Sequence, residues 1–182
     1  MFYFEKSSTL KNLFTRKKYV GPLLNSSSLI GEHVYPVFAV LKQSGFKKIR
    51  CLPIADVGPN SSSFVYEVKE VAINGITDFE DGDSFAESAE VVVHYHAKLK
   101  ILSPQEMHSY RRKNYVTVGD HFQSLGFTNI YERKIRDLTT GWLIKDGSVE
   151  QVLVCIDGEE QPMVKNQMYE YDTKIIITYH TF

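Results

Sequence analysis

The sequence predicts an α+β protein built from two tandem units, each a helix followed by a three-stranded antiparallel sheet, joined by a short helical connector. Two observations predict it. Gly45-Phe46, Ile49, Ile54, Asp56, Val68 and Val71 recur 81 residues later as Gly126-Phe127, Ile130, Ile135, Asp137, Val149 and Val152, so the chain is an internal duplication. Each copy also opens with apolar residues at helical spacing and continues with three runs rich in β-branched and aromatic residues. The boundaries read as a basic N-terminal segment 1–33, a first repeat 34–97, a connector 98–114 and a second repeat 115–182.

In the first repeat, PVFAVLKQSGF sets Val37, Val40, Leu41 and Ser44 on one helical face. Pro36 suits the first turn, Gly45 the left-handed stop, and Phe46 the apolar residue that folds back after it. KKIRCLPI (47–54), FVYEVKEVAI (64–73) and EVVVHYH (90–96) then read as strands. The second repeat follows the same plan, with Val118, Phe122 and Leu125 ahead of Gly126-Phe127 and then NIYERKI, SVEQVLVCI and KIIITYH. Asn74-Gly75 and Asp146-Gly147 tolerate positive φ and mark tight turns. AEVVVHYH (89–96) and TKIIITYH (173–180) are nearly the same segment, which predicts equivalent closing strands. In the connector, Ser103, Pro104 and Glu106 stand in capping-box order and predict a short helix.

Composition narrows the function classes. Hydrophobic residues at 43%, charged residues at 24% and a net charge of -1 describe a soluble globular chain with no long-range attraction to nucleic acid. No window is apolar over the roughly 18 residues a spanning helix needs. The N-terminus, MFYFEKSSTLKNLFTRKKYVG, has charge where a signal peptide needs its apolar core, so the compartment expected by default is the cytoplasm. Cys51 and Cys155 are too few for a disulfide framework and are expected to be free thiols.

The fragments GFTNI, IRDLTTGW, KDGSVEQV and IIITYHTF in the second copy, with INGITDF, GDSF and VVVHYH in the first, resemble the PASTA module. The likeness is to the variant found in tandem in uncharacterised bacterial proteins, and it covers about two thirds of the chain. The resemblance implies a compact accessory module of one helix and three strands without catalysis. It also implies the company of penicillin-binding proteins and serine/threonine kinases, and recognition of cell-wall fragments.

The candidate ligand-binding residues are Tyr95, His96, Tyr179 and His180 at the strand ends, and Trp142, the only tryptophan. Trp142 either stands exposed as a binding anchor or plugs the gap between sheet and helix, the reading that Leu143 and Ile144 behind it favour. His94 and His96 alternate along one strand and so face one side, where they could share a metal. Thr178 replaces His94 in the second copy, however, and imidazoles hydrogen-bonded to a neighbour are the competing reading. The acidic run 78–90 invites calcium, but an EF-type loop needs glycine at its sixth position, where Asp83 stands, so a solvated turn is expected.

No glycine-rich phosphate loop, GxSxG or HExxH occurs, and neither an enzyme nor a cofactor is expected. The chain therefore reads as a non-enzymatic binding or scaffolding module for a protein or cell-wall-type ligand. The alternatives are a small metal-dependent enzyme using His94 and His96, and a membrane-surface adaptor acting through Lys6, Lys11, Arg16, Lys17 and Lys18 beside Leu10, Leu13 and Phe14.

Overall fold

The computed structural model describes residues 18–104, 107–140 and 142–182. In chain order these form β1 (Tyr19–Val20), α1 (Val34–Gln43), β2 (Lys48–Val57), β3 (Val68–Ile73), β4 (Phe85–Ala86), β5 (Glu90–Lys98) and β6 (Lys100–Leu102). There follow α2 (Tyr115–Ser124), β7 (Ile130–Arg136), β8 (Val149–Ile156), β9 (Glu159–Pro162), β10 (Met168–Glu170) and β11 (Lys174–Thr181). Short 3-10 turns lie at Ser26–Ser28 and Met107–Tyr110. The protein is thus α+β. It divides into two compact units, one drawn from the described residues up to Leu52 with Val68–His94, the other from Pro53–Glu67 with Tyr95–Phe182.

Both sheets place their strands in the same order. β2-β5-β3 and β7-β11-β8-β9 each set the copy's closing strand between its first and second strands. The expected all-antiparallel pairing needs correction in the second copy. β11 runs antiparallel to β8 but parallel to β7, from Ile175 opposite Ile130 to Thr181 opposite Arg136. The long connection 137–148 reverses the chain without pairing β7 to β8, so the strand inserted between them must match the direction of one and oppose the other. Central position also explains the unbroken III run, since Ile175, Ile176 and Ile177 are all fully buried.

The helices form where local chemistry places them. Asn114 caps α2 by accepting from the Val116 N–H at 2.9 Å, and the His33 ring plays that part for α1. At the C-terminus of α2 the Gly126 N–H donates to the Gln123 carbonyl and the Phe127 N–H to the Phe122 carbonyl, a paired closure that requires the left-handed φ of +102° at Gly126. Phe127 then folds back onto Phe122, with ring centroids 5.9 Å apart. These rings, with Val118, Val149, Val154, Ile175 and Ile177, form the core under α2.

The duplication is written in the backbone as well as the side chains. Gly31, Gly45, Tyr66, Asn74 and Gly75 have positive φ, and so do Arg112, Gly126, Gly147, Asp157 and Gly158, each 81 to 83 residues on. Arg112, like Tyr66, is a costly member, because its β-carbon crowds the carbonyl in a conformation that its counterpart Gly31 adopts freely. Removing that strain recovers about 1–2 kcal/mol, of which glycine's extra unfolded entropy takes back about 0.5–1. Arg112→Gly is therefore expected to stabilise the chain by about 0.5–1 kcal/mol in urea unfolding.

Among the described residues the connector holds both a strand and the expected short helical piece. Lys100–Leu102 is a strand paired with β10, and Met107–Tyr110 is a 3-10 turn. Ser103 is buried. Its hydroxyl donates to the Val164 carbonyl at 2.6 Å and accepts from the Gln167 N–H at 3.0 Å, pinning a loop of the second unit. Glu106 and the basic residues Lys6, Lys11, Arg16 and Lys17 lie outside the described residues.

Candidate functional site

The two histidines at the closing-strand ends do the same work. The His180 carbonyl accepts from the Gly147 N–H at 2.9 Å, and its own N–H donates to the Ser148 carbonyl at 2.9 Å. Tyr66 and Glu67 bind the His96 backbone in the same way, each at 2.8 Å. The histidine thereby holds the far end of the loop that links the first strand of its copy to the second. Its side chain holds the near end: His96 Nδ1 meets Asp56 Oδ1 at 2.8 Å, and His180 Nδ1 meets Asp137 at 2.8 and 2.9 Å. Each copy thus closes one loop, 58–67 or 137–148, through a histidine and an aspartate about 40 residues apart in sequence.

The copies differ at the other ring nitrogen. His180 Nε2 lies 3.2 Å from Glu150 Oε2, and Arg111 holds the second oxygen of Glu150 at 2.8 Å. The sequence counterparts of Glu150 and Arg111 in the first copy are Lys69 and Ile30. Hydrogen bonding to Asp137, outweighing burial and reinforced by Glu150, raises the His180 pKa above its ordinary value. Hydrogen bonds from His180 and Arg111 hold the Glu150 carboxyl below the usual carboxylate range.

At the tip of the 137–148 loop, Trp142 is 95% and Leu143 92% exposed. The expectation that Trp142 plugs the gap between sheet and helix is therefore corrected. The clamped loop ends fix its base on the sheet, and Val118, Phe122 and Phe127 already fill the space under α2. The corresponding loop of the first copy carries Phe64, which is 71% exposed.

The tyrosines beside the histidines diverge. Tyr95 stacks on Tyr66 at 6.1 Å, and both line an open cleft of about 530 Å³ with Pro53 and Lys100. Tyr179 is buried and lies flat against Tyr115 at 3.9 Å, where burial raises its pKa. Trp142 therefore stands on the loop that His180 of β11 clamps, Tyr95 and His96 of β5 adjoin the other loop, and Tyr179 is buried against Tyr115.

His94 and His96 face separate partners. His94 Nδ1 lies 3.4 Å from Glu70, and His96 is taken by Asp56. No group of three or more His, Cys, Asp or Glu side chains positioned for a metal occurs among the described residues. In the acidic run, Asp83 accepts from the Glu80 N–H, Glu87 pairs with Lys47 at 2.7 Å and Glu90 with Arg50 at 2.7 Å, while Phe79 is buried. Both cysteines are free.

Sequence reasoning placed Asp56 opposite Asp137 and His96 opposite His180 without joining them. The signal was present, since two residue types matched in both copies, 40 residues apart in the first and 43 in the second, are candidates for mutual contact. Glu150 and Arg111 had no such signal, because only one copy has them.

No family model and no curated protein matches the chain. Among solved structures it is similar to the entire extracellular region of the Ser/Thr kinase PrkC from Staphylococcus aureus, at 11% identity and a TM-score of 0.40, covering 91% of this chain and 48% of that one. It is also similar to the three-PASTA-domain structure of a Ser/Thr kinase from the same organism, at 15% identity and a TM-score of 0.41, covering 86% of this chain and 66% of that one. The chain thus spans about half the length of the first and just under two thirds of the second. Among the described residues no helix is long and apolar enough to cross a membrane.

Proposed function

We propose that the chain is a non-catalytic binding module of two PASTA-like repeats, 34–97 and 115–182, and that it contacts its ligand through the clamped loop 137–148. The observation that carries this reading is the full exposure of Trp142 and Leu143 on a loop tied at both ends. A large rigid aromatic held out from a fixed base loses little conformational entropy on binding and buries a large area when covered.

The PASTA resemblance suggests a cell-wall fragment as ligand. Soluble peptidoglycan fragments titrated into the whole chain are expected to change the Trp142 emission saturably. Loss of a central aromatic anchor costs about 2 kcal/mol or more, so Trp142→Ala should weaken calorimetric affinity by about 30-fold. An unchanged affinity in Trp142→Ala would show that the ligand is bound elsewhere.

A further inference from the structure

We infer that His180 is a proton-operated brace at the base of the Trp142 loop, joining Asp137 to Glu150 while its ring carries both protons and letting go of one of them once it loses a proton, whereas the matching contact at His96 needs no charge. The argument is one of donors and acceptors. An ionised carboxylate only accepts, and a neutral imidazole has one N–H. His180 faces Asp137 through Nδ1 and Glu150 through Nε2, so both bonds require the imidazolium. Asp137 stands at the near end of the loop and Glu150 just past its far end, so the side-chain bridge between them needs the doubly protonated ring, in addition to the backbone bonds of His180 to Gly147 and Ser148 that do not titrate. Loss of either proton breaks the bridge on one side.

The first copy lacks this requirement. His96 meets Asp56 through Nδ1, and a neutral ring with its proton there satisfies the bond. The residue matching Glu150 is Lys69, which cannot accept a hydrogen bond. The duplication therefore contains one tie that a neutral ring completes and one that needs the charged ring.

The charged groups acting on the tie come from every element around it. Asp137 follows β7, Glu150 belongs to β8, and Arg111, after the 3-10 turn, acts on the ring through Glu150. The Asp137 side chain is 44% exposed, so protons exchange with solvent directly. The raised pKa of His180 follows from the same contacts. The consequence for ligand capture rests on the reading of Trp142 as the contact residue; the tie itself does not.

Trp142 is the only tryptophan, so the native chain reports on the loop without labelling. Time-resolved fluorescence anisotropy is read from about pH 5 to about pH 9, a range that brackets an ordinary histidine. The expected result is a single step, with the amplitude of nanosecond indole motion rising with pH at a midpoint above 6.5. Glu150→Gln should lower that midpoint, His96→Gln should leave the step intact, and His180→Gln should give high mobility at every pH. Circular dichroism checks that each variant is folded, and should His180→Gln fail to fold, Asp137→Asn takes its place with the same expected loss of the step. A flat profile in the native chain, or a step that survives in folded His180→Gln or Asp137→Asn, overturns the proposal. If the step is present but Trp142→Ala binds peptidoglycan fragments as tightly as the native chain, the tie stands and the proposed function falls.

Discussion

Phe122→Ala is expected to lower stability by about 3–5 kcal/mol, the usual cost of emptying a fully enclosed aromatic site. Phe122 is completely buried, with the Tyr110 ring at 5.4 Å and the Phe127 ring at 5.9 Å. Its carbonyl also closes the helix by accepting from the Phe127 N–H. Truncation therefore removes the aromatic pairs and the apolar contact that accompanies the left-handed stop, leaving a cavity that neighbours on two sheet strands and a helix cannot collapse to fill. A domain is typically stable by about 5–15 kcal/mol, so the variant should unfold at a much lower urea concentration. Phe122→Leu, which keeps most of the volume, should cost less than half as much. Equal losses for the two would show that shape, and not cavity size, sets the penalty.

The second large effect is on the pH dependence of stability. His180 has a folded pKa above its ordinary 6.5, so its contribution is complete below that value and is lost as pH rises through the folded pKa. Glu150 has a folded pKa below its ordinary 4.5, so its contribution is complete above that value and is lost as pH falls. The network is therefore at full strength between about 4.5 and about 6.5 and weakens on both sides. Charge-assisted hydrogen bonds are each worth roughly 1.5–3 kcal/mol, discounted here because the side chains of Asp137 and Glu150 are 44% and 35% exposed. The urea midpoint of the native chain should fall by an amount corresponding to about 1–2 kcal/mol on going alkaline from that window, and His180→Gln should remove the alkaline limb. A native midpoint constant above pH 6.5 would mean that the ring contributes equally in both protonation states.

The elements most legible in the sequence are those decided by their immediate neighbours. The two helices end where Gly45-Phe46 and Gly126-Phe127 require, because a left-handed residue followed by an apolar one is a short-range device. The Asn74-Gly75 turn and its Asp157-Gly158 counterpart are similarly local. What depended on strand order was not legible. The parallel pairing of β11 with β7 follows from a closing strand that slips between two others, which no stretch of residues encodes alone. The Asp56–His96 and Asp137–His180 pairs follow from the same insertion. Trp142 misled because Leu143 and Ile144 suggested a buried run. A twelve-residue loop whose ends are both fixed can carry apolar residues away from the core.

One edge of the second sheet shows how the chain avoids extending itself. β9, Glu159–Pro162, is the outermost strand, paired only to β8 on its inner side. A β-strand with an open flank recruits others like it, and growth of this kind leads to fibres. Here the strand carries Glu159 on one face and the Arg133-paired Glu160 on the other, and ends at Pro162, which has no N–H to offer. A second copy docking on it would meet a gap in its ladder at Pro162. The strand is therefore a terminator at this edge of the sheet.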